Sequence, residues 1–250
     1  MDLGITGRTA AVAAASAGLG LASARALAAD GVRVVICGRD QGRIDAAVAS
    51  LPGSGHVGLV ADVGTPVGAT AFVTGTIDAL GAGPDILVTN AGGPPPGTFS
   101  STPLEAYQAA LELNLLSVVA MCTSAVPAMR ERGWGRIVAI TSIAVKQPVG
   151  ALILSNTARA GATGFLKTLA TEVAADGVTV NSALPGLHST DRLVQLHGGD
   201  ASAAAASVPT RTLGDPADFG AVVAFLCSEQ ARFLTGAAIQ IDGGAYPGLL

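Results

Sequence analysis

Residues Val12 to Gly20, VAAASAGLG, bring small side chains and two glycines to a strand-to-helix junction, a combination that suits a pyrophosphate. Without bulky side chains a phosphate can approach the backbone, and a helix N-terminus offers free N–H groups and a partial positive charge. Taken alone, the segment also fits an ordinary structural turn. The next apolar run adds a second observation, because it ends Ile36–Cys37–Gly38–Arg39–Asp40. An acid at the strand end would bind ribose hydroxyls and repel a 2′-phosphate. Here Gly38 takes that place and Arg39 follows, with a guanidinium able to bond a phosphate. The pattern predicts NADP(H) rather than NAD(H), with a solvated surface arginine as the bland alternative.

Short apolar runs alternate with longer helical stretches along the whole chain. Thr9–Ala14, Arg33–Cys37, Val57–Ala61, Ile86–Thr89, Arg136–Thr141, Thr179–Ala183 and Ala238–Ile241 read as strands. Leu19–Asp30, Gln41–Ser50, Pro66–Leu80, Leu104–Arg132, Asn156–Asp176 and Pro216–Ser228 read as helices. Repeated βαβ units of this kind predict a single α/β domain with a doubly wound, mostly parallel, seven-stranded sheet. Ligands then bind at the carboxyl ends of the strands. Gly31, Gly133 and Gly177 stand where helices should stop. Residues 187–209 lack an obvious strand and contain Gly198 and Gly199, so this stretch is expected to be a lid or substrate loop inserted in the domain.

With these features placed, the chain resembles the short-chain dehydrogenase/reductase family, in particular its 3-oxoacyl-ACP reductases, over nearly its full length. The family's TGxxxGxG turn corresponds to Ala13, Ala14, Gly18 and Gly20, with alanine replacing both the threonine and the first glycine. Asp62, in the segment Ala61–Asp62–Val63, matches the aspartate at the adenine, and Asn90–Ala91–Gly92 matches the segment after the fourth strand. Asn114 and Ser142 match the family's catalytic asparagine and serine. Pro185–Gly186 with Thr190 matches the segment around the nicotinamide. The resemblance implies a Rossmann domain whose cofactor contacts are Ala14, Ser16, Gly18, Leu19, Gly20, Arg39, Asp62, Val63, Asn90, Ala91, Gly92, Arg159, Pro185, Gly186 and Thr190. The chain departs from the family at its centre. Where it normally carries YxxxK, about thirteen residues after the serine, this sequence reads Ser155–Asn156–Thr157–Ala158–Arg159. The only tyrosines are Tyr107, one helix upstream, and Tyr246, past the last strand, so no shifted copy stands in. The longer-spaced tyrosine of the enoyl reductase branch would fall at Leu152.

Carbonyl reduction needs a hydride and a proton for the developing alkoxide. A phenol with a pKa near ~10, assisted by an ammonium, supplies that proton far better than a serine hydroxyl does. Two readings stay open. In the first, the protein is an oxidoreductase without the usual tyrosine. Ser142 and Ser155 polarise the carbonyl, Asn114 supports the local helix and a water chain, and Arg159 anchors the cofactor. Another group then gives the proton: Lys146 first, then His188 on the lid, each with an ordinary non-catalytic alternative, as for His197. In the second, the fold keeps NADP(H) but performs elimination, isomerisation or cyclisation, or serves a non-catalytic regulatory role.

Composition excludes several classes. Half of the residues are hydrophobic, 13% are charged and the net charge is −4, with no basic cluster, which argues against disorder and nucleic-acid binding. Cys37, Cys122 and Cys227 stand alone without metal-ligand spacing, and no metal site is expected. The N-terminus lacks signal-peptide character, and Leu113–Met129, broken by Asn114, Ser117, Thr123, Ser124 and Pro127, reads as a buried helix rather than a membrane span. A cytoplasmic protein acting on a small molecule is expected. The prolines at 94–96, with Val145, Pro148 and Leu152, predict a stiff, mainly apolar pocket wall. Two helices too apolar for one-sided packing, Leu104–Arg132 and Asn156–Asp176, predict a homodimer or homotetramer, as the resemblance also implies.

Overall fold

Strands that are apolar on both faces need helices above and below, and that requirement sets the architecture. The computed structural model describes residues 1–196 and 202–249. Strands β1 (Thr9–Val12), β2 (Arg33–Gly38), β3 (Val57–Val60), β4 (Ile86–Thr89), β5 (Gly135–Ile140), β6 (Val178–Pro185) and β7 (Ala238–Ile241) form one sheet in the order β3-β2-β1-β4-β5-β6-β7. All six pairings are parallel. Residue Val12 of β1 lies opposite Ile36 of β2 and Val88 of β4, so the order reverses at β1 and a crevice opens beyond the carboxyl ends of β1 and β4.

Helices α1 (Gly18–Ala29), α2 (Gln41–Ala49) and α8 (Pro216–Leu226) cover one face, where Leu27, Ile44 and Phe219 pack on Val12, Ile36 and Val138. Helices α3 (Pro66–Leu80), α4 (Ala106–Arg132) and α5 (Ile153–Val173) cover the other, where Phe72, Met121, Met129 and Leu166 pack on Ala11, Val35, Leu87 and Ile137. Successive strand residues thus serve opposite cores, as the pleat requires.

Three boundaries depart from expectation with consequences for the site. Helix α4 starts at Ala106 and holds a π-turn over Glu112–Leu116, in which Asn114 is buried. Helix α5 begins at Ile153, three residues before the expected start, so Ser155 lies inside its first turn. The 187–209 stretch carries two short helices, α6 (Asp191–Leu196) and α7 (Ser202–Ala205); His197 lies outside the described residues. By length and composition α4 could cross a membrane, yet Met121, Cys122, Ala125 and Met129 along one side of it are packed into the sheet's core.

Candidate functional site

The turn after β1 is built to leave donors open. Helices α2, α3 and α8 are each capped by a side chain: Asp40 accepts from Arg43 N–H, Thr65 from Gly68 N–H and Asp215 from Ala217 N–H. Helix α1 starts after Ala17 and, like α4 and α5, has no side-chain cap. Its first N–H groups therefore point into the crevice with the positive end of the helix dipole, as a pyrophosphate needs. A Cβ on Gly20 would lie 2.7 Å from the Ala14 carbonyl oxygen and 2.8 Å from Asn90 Nδ2, so only glycine fits there. Asn90 in turn donates to Ala14 O at 3.2 Å and ties the end of β4 to the turn. Ser16 and Leu19 are half-buried on the same turn, and Thr190 approaches Gly18 from the far side of the cleft. Ala14 adopts φ +46°, a left-handed conformation that costs a non-glycine residue about 1–2 kcal/mol. The position where the resembled family carries glycine therefore keeps the glycine backbone without the glycine.

At the end of β2, Gly38 packs against Ser16, whose Oγ would be 3.0 Å from an added Cβ. A carboxylate side chain there would have to displace Ser16. Arg39 is exposed beside it, and the Asp40 carboxylate is engaged as the α2 cap. With Asp40 engaged as a cap, the charge that follows Gly38 and is left open at this corner is the cationic Arg39. Asp62 is exposed and accepts from Gly64 N–H at 3.0 Å, with Val63 buried behind it. This corner fits a nucleotide with a 2′-phosphate.

The opposite end of the crevice gathers the chemistry-bearing groups. Ser142 follows β5 and accepts from Ala144 N–H at 3.1 Å, which leaves its own proton for another acceptor. Asn114 donates to Gly92 O at 2.9 Å, while its Oδ1 is buried with no partner among the described residues. The Thr89 and Thr141 hydroxyls, at the ends of β4 and β5, are likewise buried without a partner. Ser155 and Arg159, one turn apart on α5, are 8% and 9% exposed. Arg159 is neither a surface nor a solvated residue: its Nη1 donates to Ile140 O (3.2 Å) and Thr141 O (2.7 Å), and among the described residues it has no carboxylate partner. Burial alone pushes its guanidinium down to about 10, so it remains charged at neutral pH.

Pro185 and Gly186 close the end of β6, with Gly186 N–H bonded to Ile241 O at 2.9 Å. Of the two proposed outside proton donors, His188 is buried edge-on to Phe219 at 5.1 Å, against Gly214. Burial lowers its pKa, opposed by the Gly186 carbonyl and by Asp215. Its packing ties the chain just after β6 to Phe219 of α8. Lys146 is half-buried, and its ammonium lies 5.7 Å from the ring centroid of Tyr246. Sequence order alone placed Tyr246 away from the site; the structure brings it to the same edge as Ser142. The signal that could have found it is the parallel order of β6 and β7, which delivers everything just past β7 to the carboxyl edge.

A cavity of about 310 Å³ is walled by Pro94, Pro95, Pro96, Ala106, Leu113 and Leu154. The loop that bears it is clasped by Gly97 N–H to Ala151 O (2.8 Å) and by Asn156, which bonds both backbone groups of Val149. A smaller cleft of about 140 Å³ around Lys167 and Gly236 lies apart from these groups.

Comparison with known proteins gives concordant results. Residues 13–246 match a family model described as enoyl-(acyl carrier protein) reductase. Human dehydrogenase/reductase SDR family member 4 is 35% identical over 245 residues, covering 96% of this chain and 88% of that protein. The L-sorbose reductase of Gluconobacter frateurii, solved with NADPH and L-sorbose, superposes with a TM-score of 0.92 at 34% identity over the full length of both chains. A short-chain oxidoreductase of Pseudomonas aeruginosa PAO1, solved with NADPH and described as containing an atypical catalytic center, superposes with a TM-score of 0.88 at 30% identity, covering 96% and 97% of the two chains.

Proposed function

The chain belongs to the short-chain dehydrogenase/reductase family, and on that premise we propose that it reduces a carbonyl on a mainly apolar small molecule with NADPH, or oxidises the alcohol in reverse, without a tyrosine on α5. It is an oxidoreductase, and its cofactor is NADP(H). The observation that carries the reading is Arg159: a buried cation with no carboxylate partner among the described residues, one turn from Ser155 on α5. A fixed positive charge in a water-poor pocket stabilises negative charge that develops there more strongly than it could in water.

Bound NADPH supplies the hydride. Ser142 and Ser155 donate hydrogen bonds to the carbonyl oxygen, and Arg159 holds the nicotinamide ribose and offsets the charge of the nascent alkoxide. Asn114 fixes the π-turn through Gly92 O and keeps Oδ1 for a bridging water. The first turn of α1 takes the pyrophosphate, Arg39 the 2′-phosphate, Asp62 and Val63 the adenine, and Ala91, Gly92, Pro185, Gly186 and Thr190 the nicotinamide half. The proton comes from outside α5, with Lys146 on the same lip as Ser142. The proline-walled cavity sets the preference for apolar substrates. The protein works in the cytoplasm as a homodimer or homotetramer through α4 and α5.

The test is loss of NADPH absorbance across aldehydes, ketones and quinones, with nucleotide affinity measured in parallel by NADPH fluorescence. Consumption with at least one apolar carbonyl is expected. Tight NADPH binding with no consumption by any of them would turn the reading toward non-redox chemistry in the same pocket.

A further inference from the structure

Resting on the reading above, we propose that Tyr246 is the proton donor, and that Lys146 is the positioning cation that makes it one. Two segments bring this pair together at the carboxyl edge of the sheet. On one side, Lys146 follows Ser142 by four residues, on the short 3₁₀ turn Ile143–Val145 that Ser142 itself caps. On the other, β7 runs parallel to β6 with Ile241 opposite Pro185, so the chain past β7 emerges beside Pro185–Gly186.

The tight turn that follows fixes where Tyr246 stands. Asp242 accepts from Gly244 N–H and Tyr246 N–H, both at 2.9 Å, while Ala245 N–H bonds Asp242 O at 3.2 Å. Thr210 N–H bonds Gly243 O, which ties the turn to the end of the 187–209 segment. Gly248 then folds against the phenol, close enough that a Cβ there would collide with the Tyr246 hydroxyl. The half-buried ring is thus located by its own backbone, by Gly248 and by the Lys146 ammonium at 5.7 Å. A cation this close to an aromatic ring is attracted to it, and more strongly to the phenolate left when the proton departs. Phenol and ammonium, both missing from α5, meet again outside it, next to the turn that Ser142 caps.

In the proposed step the carbonyl carbon takes hydride from the reduced nicotinamide, which is left oxidised. The carbonyl π bond opens, and its oxygen takes the proton of the Tyr246 hydroxyl. The Tyr246 phenolate, held by Lys146, regains a proton from solvent water. Ser142, Ser155 and Arg159 stabilise the alkoxide throughout. Serine at position 155 leaves the substrate oxygen free to lean toward Tyr246.

The experiment combines kinetics with a complex. Tyr246→Phe should lower kcat by about 10²-fold or more with KM and NADPH affinity little changed, as loss of a general acid does, while Tyr107→Phe, which alters the only other tyrosine, leaves turnover at the wild-type level. Lys146→Met should lower kcat about tenfold without raising KM, and Lys146→Arg should restore most of it, a pattern that simple unfolding would not give. Gly248→Ala, which moves the phenol without removing it, should fall between wild type and Tyr246→Phe. Independently of turnover, a crystal structure with NADP⁺ and the product alcohol should place the Tyr246 hydroxyl within roughly 2.6–3.2 Å of the alcohol oxygen. Wild-type turnover with an unimpaired Tyr246→Phe, or an alcohol held by Ser142 and Ser155 with Tyr246 out of reach, overturns this assignment alone. A wild type that oxidises no NADPH overturns the carbonyl-reduction reading and this proposal with it.

Discussion

The two ends of the sheet treat charge in opposite ways. At the amino end, Asp85 accepts from Thr9 N–H and Thr9 Oγ1, both at 2.8 Å, and pairs with Arg132 at 3.0 Å and Arg8 at 3.6 Å. Arg136, 2% exposed, pairs with Glu229 at 3.6 Å and donates to the carbonyls of Ser228, Gly135 and Gly177. Arg8 and Arg136 both lie over Trp134, whose indole N–H bonds Glu229 at 2.7 Å. At the carboxyl end, α1 is uncapped, and among the described residues Arg159 lacks a carboxylate and the Thr89, Asn114 and Thr141 oxygens lack partners, as does the Thr179 hydroxyl at the amino end of β6. The same burial that lowers the Arg136 pKa is opposed there by Glu229, whereas for Arg159 nothing opposes it. A matched network serves stability, because breaking it leaves buried charges alone. An unmatched one, held open at a cost, is where a ligand completes the set.

The strongest test of that contrast exchanges arginine for methionine at each end. Arg159→Met should lower turnover at least ~10²-fold, as loss of an oxyanion-stabilising group does, yet leave apo stability within about 1 kcal/mol of wild type. Arg136→Met should do the reverse, costing about 3 kcal/mol in urea unfolding with kcat little changed in the folded fraction. Equal stability losses at both ends would dissolve the comparison. A gentler probe restores the resembled family's pair: Ser155→Tyr with Arg159→Lys should raise turnover about tenfold or more over either single change, read by initial rates. Ala14→Gly should relieve the φ +46° strain and stabilise the fold by about 0.5–1 kcal/mol, after allowing for the freer unfolded chain, measured by thermal unfolding. The mildest prediction concerns the thiols. Burial pushes Cys37, Cys122 and Cys227 up to about 12, so at pH 8.5 all three stay protonated. A disulfide reagent should label none of them in the native protein and all three after unfolding.

The seven-stranded parallel sheet and the NADP(H) cofactor were legible in the sequence because they rest on local patterns. Alternation of strand and helix predicts the parallel sheet, and Gly38–Arg39 predicts a cationic corner. The structure adds why an acid is excluded there: Ser16 occupies the space. What escaped depends on long-range register or on a break in helical period. The π-turn at Asn114 leaves no compositional mark, because Glu112–Leu116 reads as ordinary helix. The burial of Arg159 is equally silent, since an arginine is mostly exposed and its sequence neighbours Thr157 and Ala160 are exposed indeed. Tyr246 is 100 residues from Lys146 by their numbering, and only the pairing of β7 with β6 brings the two together.

The uncapped start of α1 has a consequence for how the molecule endures rather than how it reacts. If its N–H groups take the pyrophosphate as proposed, nucleotide level becomes a determinant of the protein's lifetime. At a nucleotide concentration 100 times the dissociation constant, binding adds about 2.7 kcal/mol to the folded state. A cell whose NADP(H) pool falls would therefore leave this chain more often open to proteases, and its abundance would follow the pool it draws on.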